Sequence, residues 1–144
     1  MSKITTQQAQ QLGQWAEQQA KQILEQAGFH ILAQNFHSRY GEIDLIALQQ
    51  ELIVLVEVKA RRGQGWGESQ EFVTLSKQRK LIKTALYFMQ QQPNLAHFYY
   101  RFDVICFDFK QQFAKTLQQT FCDLAYDQQW IENAFTIDVE LINL

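Results

Sequence analysis

The sequence predicts one α/β domain in which helices flank a central mixed sheet, and three observations predict it. An apolar stripe at helical spacing opens the chain. Three strand-like runs follow it in close succession. A second helical stripe then precedes a long run of aromatic and β-branched residues. The order is α-β-β-β-α-β. With 144 residues, 47% of them hydrophobic and 13% aromatic, the chain has apolar material for one core, so residues 1–144 are read as a single domain.

Over residues 6–27, Ala9, Leu12, Ala16, Ala20, Ile23 and Ala27 recur every three or four positions, and Gly28 stands where a helix cap belongs. Strand-like runs cover residues 29–36, 42–48 and 52–59. Only Gln49, Gln50 and Glu51 separate the last two, which makes the three a meander. Residues 61–72 hold Gly63, Gly65 and Gly67 without periodicity and read as a loop. Ser76 is the expected cap of the second helix, whose buried stripe is Ile82, Ala85, Leu86 and Met89 and which Pro93 ends. Residues 98–109 follow as a strand. Beyond them Phe113, Leu117, Phe121 and Leu124 suit a helix and residues 130–135 a short strand.

Thirteen Lys and Arg against 15 Asp and Glu leave a formal net charge of -2, so any nucleic-acid contact must be a local patch. The longest apolar run, residues 52–56, is stopped by Glu57 far short of the ~20 residues a membrane span needs. The first residues lack a signal peptide's apolar stretch, and Cys106 and Cys122 are too few for a disulfide framework. A cytoplasmic, reduced protein with no membrane partner is expected.

The chemistry concentrates in Gly41-Glu42-Ile43-Asp44-Leu45-Ile46 and Val56-Glu57-Val58-Lys59. Residues two apart in a strand share a face, so Glu42 and Asp44 point one way, as do Glu57 and Lys59. A hairpin centred between Gln50 and Glu51 sets Asp44 across from Glu57. Two carboxylates this close repel unless a cation lies between them, and a hard divalent ion, Mg²⁺ or Mn²⁺, meets that need. Lys59 would then orient or deprotonate an attacking water, or offset charge on a phosphate, which reads as phosphodiester hydrolysis. The alternative is a hairpin with solvated ends, Glu57 and Lys59 forming a same-face ion pair. Leu52, Val54, Val56 and Val58 on one face, with Ile53 and Leu55 on the other, mark a strand buried on both sides. Charges that continue the second face of such a strand favour function.

The runs at 41–46 and 56–61, with Leu12, Gly13, Glu17 and Ala20 on the first helix, resemble the uncharacterised YraN-type bacterial family. That family is related to archaeal Holliday junction resolvases within the PD-(D/E)xK nuclease-fold superfamily. The likeness extends through Glu71, Val73, Lys77-Gln78-Arg79 and Arg101-Phe102-Asp103-Val104 to Asn133-Ala134-Phe135. It implies a restriction-endonuclease-like fold, with Asp44 and Glu57 as metal ligands, Lys59 as a catalytic group and Glu17 as the extra carboxylate that resolvases carry on the first helix. Glu17 lies at the border of the apolar stripe, from which it can reach over the sheet. The chain departs from the pattern in lacking a proline before Asp44, in placing Tyr40 where a glycine is common, and in the insertion at 110–127.

Lys77, Arg79, Lys80 and Lys83 are expected opposite the buried stripe of the second helix, with Arg61 and Arg62 at the start of the glycine loop. Together they make either a phosphate-binding patch or a solvated face. Gln78 falls within the stripe, placed to hydrogen-bond in the site. Trp66 suits stacking on a base or covering the core. Arg101 and Asp103 share a strand face and are expected either simply to pair with each other or to form a bridge that braces the site. His30, His37 and His97 lack metal-ligand spacing. The expected function is a divalent-metal-dependent nuclease acting on structured or branched DNA. The alternative is a non-catalytic nucleic-acid-binding or assembly protein that keeps the fold. DNA is the expected partner, and a homodimer is left open.

Overall fold

Helix α1, Thr6–Gln26, buries Leu12, Ala16, Ala20 and Leu24. The stripe turns slightly from the expected one, with Leu24 at its centre, Ile23 at its edge, and Ala9 and Ala27 exposed. Gly28, at φ 94°, ends the helix: Phe29 N–H reaches Leu24 C=O at 2.9 Å and Gly28 N–H reaches Glu25 C=O at 3.0 Å. That is the left-handed cap only glycine adopts cheaply. The computed structural model describes residues 6–62, 73–109 and 126–136. The second helical stripe past residue 110 and the Trp66 loop lie outside them.

Five strands form one sheet in chain order: β1 (His30–Ser38), β2 (Gly41–Gln49), β3 (Leu52–Arg62), β4 (Tyr99–Phe109) and β5 (Tyr126–Phe135). The meander β1-β2-β3 is antiparallel, β3 and β4 are parallel, and β5 returns antiparallel, so the sheet is mixed. The parallel step requires a crossover, and helix α2 (Leu75–Gln91) lies within it. Arg61 and Arg62 belong to β3 and not to a loop, because β4 pairs with that strand as far as Arg62↔Phe109. Tyr126 and Asp127 likewise belong to β5, which begins earlier than residue 130.

The helices cover opposite faces. Under α1 lie Leu45, Ala47, Val54, Val56, Ile105, Phe107 and Phe109. Under α2 lie Ile43, Ile46, Ile53, Leu55, Phe102 and Val104. Strand β3 is thus buried on both sides, as its unbroken apolar run demands. The α2 stripe is Leu81, Ile82, Thr84, Ala85 and Phe88, whereas Leu86 is 36% exposed. The helix is rolled from the expected stripe because Phe88 is the larger group to bury, and it meets Phe36 edge-on at 5.2 Å. Thr74, not Ser76, caps α2: Thr74 is extended and its hydroxyl accepts from Lys77 N–H, while Ser76 falls inside the first turn. Among the described residues no helix is long and apolar enough to cross a membrane.

Candidate functional site

The β2–β3 ladder runs from Gln49↔Leu52 to Leu45↔Val56, so Asp44 and Glu57 are the next opposite pair. This is the register read from the sequence, set by the two-residue turn Gln50-Glu51 with Gln50 at φ 54°. Beyond Leu45 the strand changes course. Ile43 packs under α2 and Leu45 under α1, although residues two apart in a regular strand share a face. Strand β2 therefore twists through Asp44, whose Oδ2 accepts Val58 N–H at 2.8 Å in place of a further ladder bond. Asp44 stands at the seam between the two faces.

On the α1 side of that seam, Glu17, Glu42 and Asp44 each place a carboxylate oxygen within 4.8 Å of the others. Asn35 sits opposite Asp44 in β1, at φ 51°. With its amide turned to donate, its nitrogen is 3.0 Å from Glu17 Oε1 and 2.7 Å from Glu42 Oε1. On the α2 side, the buried Glu57 Oε1 lies 2.6 Å from Lys77 Nζ and 3.6 Å from Lys59 Nζ.

These charges disturb one another. Burial, then the neighbouring Glu57 carboxylate, push Asp44 up to about 7, and the Val58 N–H bond that favours its anion does not offset them. Burial and the Glu42 charge raise Glu17. Burial and a hydrogen bond with Lys77 lower the Lys59 ammonium, so it holds its proton less tightly than an ordinary lysine. Burial also opposes the Lys77 charge, but its bonds to Glu57 and Lys59 outweigh that and raise it. Beside the three carboxylates stand His37, whose Nδ1 lies 3.9 Å from Glu42 Oε2, and Lys59 and Lys77, whose charges reach Asp44. Hard oxygen donors with excess negative charge are the donor set a small divalent cation takes.

The expected site residues divide. Glu17 and Asp44 converge, joined by Glu42, and Glu57 and Lys59 stand beside them. Gln78 does not join them through its amide, which donates to Val73 C=O at 3.0 Å and so ties the first turn of α2 to its approach. Lys77 leaves the expected basic face, because it occupies the same helical row as the buried Leu81, Thr84 and Phe88 and so turns toward the sheet. Arg61 is bound to Asp108 at 2.6 Å on the neighbouring strand β4. Arg79 and Lys80 are exposed and Lys83 is half-buried against Tyr40; the Arg62 side chain lies outside the described residues. Arg101 and Asp103 pair as expected, at 2.9 Å through two nitrogens. Asp103 also accepts Trp130 Nε1–H at 2.8 Å and Asn133 N–H at 3.0 Å, which fixes the bulge of β5. Sequence reasoning missed Glu42 as a member of the cluster, although its spacing of two from Asp44 was the available signal, and it missed Asn35 altogether.

The family described as "Uncharacterised protein family UPF0102" matches residues 16–107, which span α1 to β4. A UPF0102 protein of Acinetobacter baumannii (strain AYE) is 56% identical over 130 residues, covering 90% of this chain and 98% of its own. One from Acinetobacter baylyi is 54% identical over 129 residues, covering 90% of this chain and 92% of its own. A UPF0102 protein of Vibrio parahaemolyticus is 41% identical over 126 residues, covering 88% and 93%.

Proposed function

We propose that this chain, which belongs to the uncharacterised protein family UPF0102, is a divalent-metal-dependent nuclease that hydrolyses phosphodiester bonds in structured or branched DNA. The observation that carries this reading is the convergence of Glu17, Glu42 and Asp44 at the strand end where Glu57 and Lys59 also stand. Asp44, Glu17 and Glu42 would hold Mg²⁺ or Mn²⁺, with Glu57 as the further carboxylate across the seam. When bound, such an ion polarises a phosphate oxygen and makes a coordinated water more acidic.

The remaining work falls to the chain's own groups. Asn35 aligns Glu17 and Glu42 by donating to both, which reduces the reorganisation needed as a ligand enters. Lys59, with its weakened hold on its proton, is suited either to accept a proton from the attacking water or to face the charge that grows on the phosphate. Lys77 holds Glu57 in place. The exposed Arg79 and Lys80 on α2 supply a local phosphate-binding patch on a chain of net negative charge.

Cleavage assays on duplex, flap, single-stranded and four-way-junction DNA, each with Mg²⁺ and with Mn²⁺, test the reading. It expects metal-dependent cleavage of at least one form that Asp44→Asn abolishes. Absence of cleavage in all forms with both metals would assign the fold to a binding or assembly role.

A further inference from the structure

At the tip of the β1–β2 hairpin a groove of about 530 Å³ opens between the turn and helix α2, lined by Arg39, Tyr40, Lys83, Leu86 and Tyr87 among others. Its base is apolar. Leu86 and Tyr87 are 36% and 39% exposed, large values for apolar and aromatic groups beside a core, and Phe36 supports the Tyr87 ring at 6.0 Å. Its rim is cationic: the Arg39 guanidinium lies 4.9 Å from the centre of the Tyr40 ring and Lys83 Nζ lies 5.3 Å from it. No carboxylate is among the described lining residues.

The wall is also rigid. Ser38 Oγ and Thr84 Oγ1 are 2.8 Å apart, Thr84 donates to Lys80 C=O at 2.8 Å, and Tyr40 N–H donates to Ser38 Oγ at 3.1 Å, so the turn is bolted to the helix. A half-buried aromatic ring with two cations over it and exposed Leu86 and Tyr87 beside it is the chemistry that accepts an unstacked base together with its phosphate. Arg39 is exposed and donates from Nη2 to the Tyr40 hydroxyl at 2.8 Å; a charge-assisted pair with a phosphate is stronger than this bond to a neutral, solvent-exposed phenol and can replace it.

We propose that this groove binds one nucleotide of a single-stranded segment, its base stacked on Tyr40 and packed along Leu86 and Tyr87, its phosphate held by Arg39 and Lys83. Glu42 of the carboxylate cluster follows Tyr40 by two residues in the chain, at the same end of the sheet. With the groove on the α2 side of this end of the sheet, the favoured substrate is DNA that carries an unpaired segment near the bond that is cut. The proposal deepens the nuclease reading and rests on it for the word substrate, but the binding it predicts needs no metal and no turnover.

The test is fluorescence anisotropy in a chelator, with a labelled six-nucleotide single strand, a blunt duplex of the same sequence, and poly-glutamate, on the full chain. The single strand should bind more tightly than the duplex. Tyr40→Ala should weaken it about tenfold, the loss expected for one base-stacking contact. Tyr40→Phe should keep it, and Arg39→Glu should weaken it and flatten its salt dependence. Arg39 is on the exposed turn, so that variant serves even where Tyr40→Ala disturbs the hairpin. Unchanged binding in both Tyr40→Ala and Arg39→Glu overturns the proposal. So does poly-glutamate binding with the same affinity and the same sensitivity, which would make the groove an acidic-peptide site. Strand binding that follows these variants in a protein that cuts none of the four DNA forms would leave the groove standing and remove the nuclease reading.

Discussion

Lys77 Nζ holds Glu57 Oε1 at 2.6 Å across the gap between helix α2 and strand β3. Glu57 is buried and Lys77 about a third exposed, so the pair is partly screened. Lys77→Ala should cost about 1 kcal/mol of stability, less than breaking a fully buried pair because water reaches the gap. It should also raise divalent-metal affinity, because a competing cation leaves the carboxylates. Thermal unfolding in a chelator and Mn²⁺ titration check the two effects. A lysine acting only as a DNA contact would move neither.

The protonation of Asp44 sets a pH dependence. Its folded value, about 7, lies above the ordinary 3.8, so the folded state binds the proton more tightly than the unfolded chain. The stability this contributes is present below about pH 4 and is lost as pH rises to about 7. Asp44→Asn can still accept from Val58 N–H and carries no charge. In a chelator, the stability of Asp44→Asn relative to the parent should therefore increase between pH 5 and 8, and saturating Mg²⁺ should shrink the gap by stabilising the parent alone. Denaturant midpoints across that range give the comparison. A difference independent of pH would mean that Asp44 titrates as an ordinary carboxylate.

Thr74 and Ser76 offer a test of the helix boundary. Thr74→Ala removes the hydroxyl that accepts Lys77 N–H and should cost about 1 kcal/mol, while Thr74→Ser should restore most of it. Ser76→Ala lies within the first turn and should change stability by less than about 0.5 kcal/mol. Urea midpoints of the three variants decide which residue is the cap.

The same helix shows why parts of the site were legible and others were not. The 44-to-57 register could be read because both strands carry an unambiguous apolar run and a very short turn joins them. The direction of Lys77 could not. Ile82 and Ala85 suit two adjacent stripes, one continuing through Leu86 and Met89 and one through Leu81 and Phe88, and their hydrophobicity barely distinguishes them. Tertiary packing against Phe36 selects the second, and the choice swings Lys77 from solvent to Glu57. Glu42 was hidden for another reason. Its approach to Glu17 depends on the twist of β2 at Asp44 and on Asn35 bridging the two, and neither leaves a periodic trace in the sequence. Arg61 read as a loop cation because the glycines begin just after it. Its partner Asp108 is brought alongside only by the parallel β3–β4 pairing.

The central claim is that the carboxylates hold the metal and Lys59 serves the reaction, and calorimetric Mg²⁺ and Mn²⁺ titration of wild type, Asp44→Ala and Lys59→Ala tests it most directly, with cleavage rates measured on the same samples. The account predicts that Asp44→Ala loses metal affinity, since a ligand is gone. It predicts that Lys59→Ala binds metal at least as well as wild type, since a nearby positive charge is gone, yet cuts DNA slower by a factor on the order of 10² or more. Equal metal binding by all three proteins, or metal binding lost on removing Lys59 and kept on removing Asp44, would contradict it.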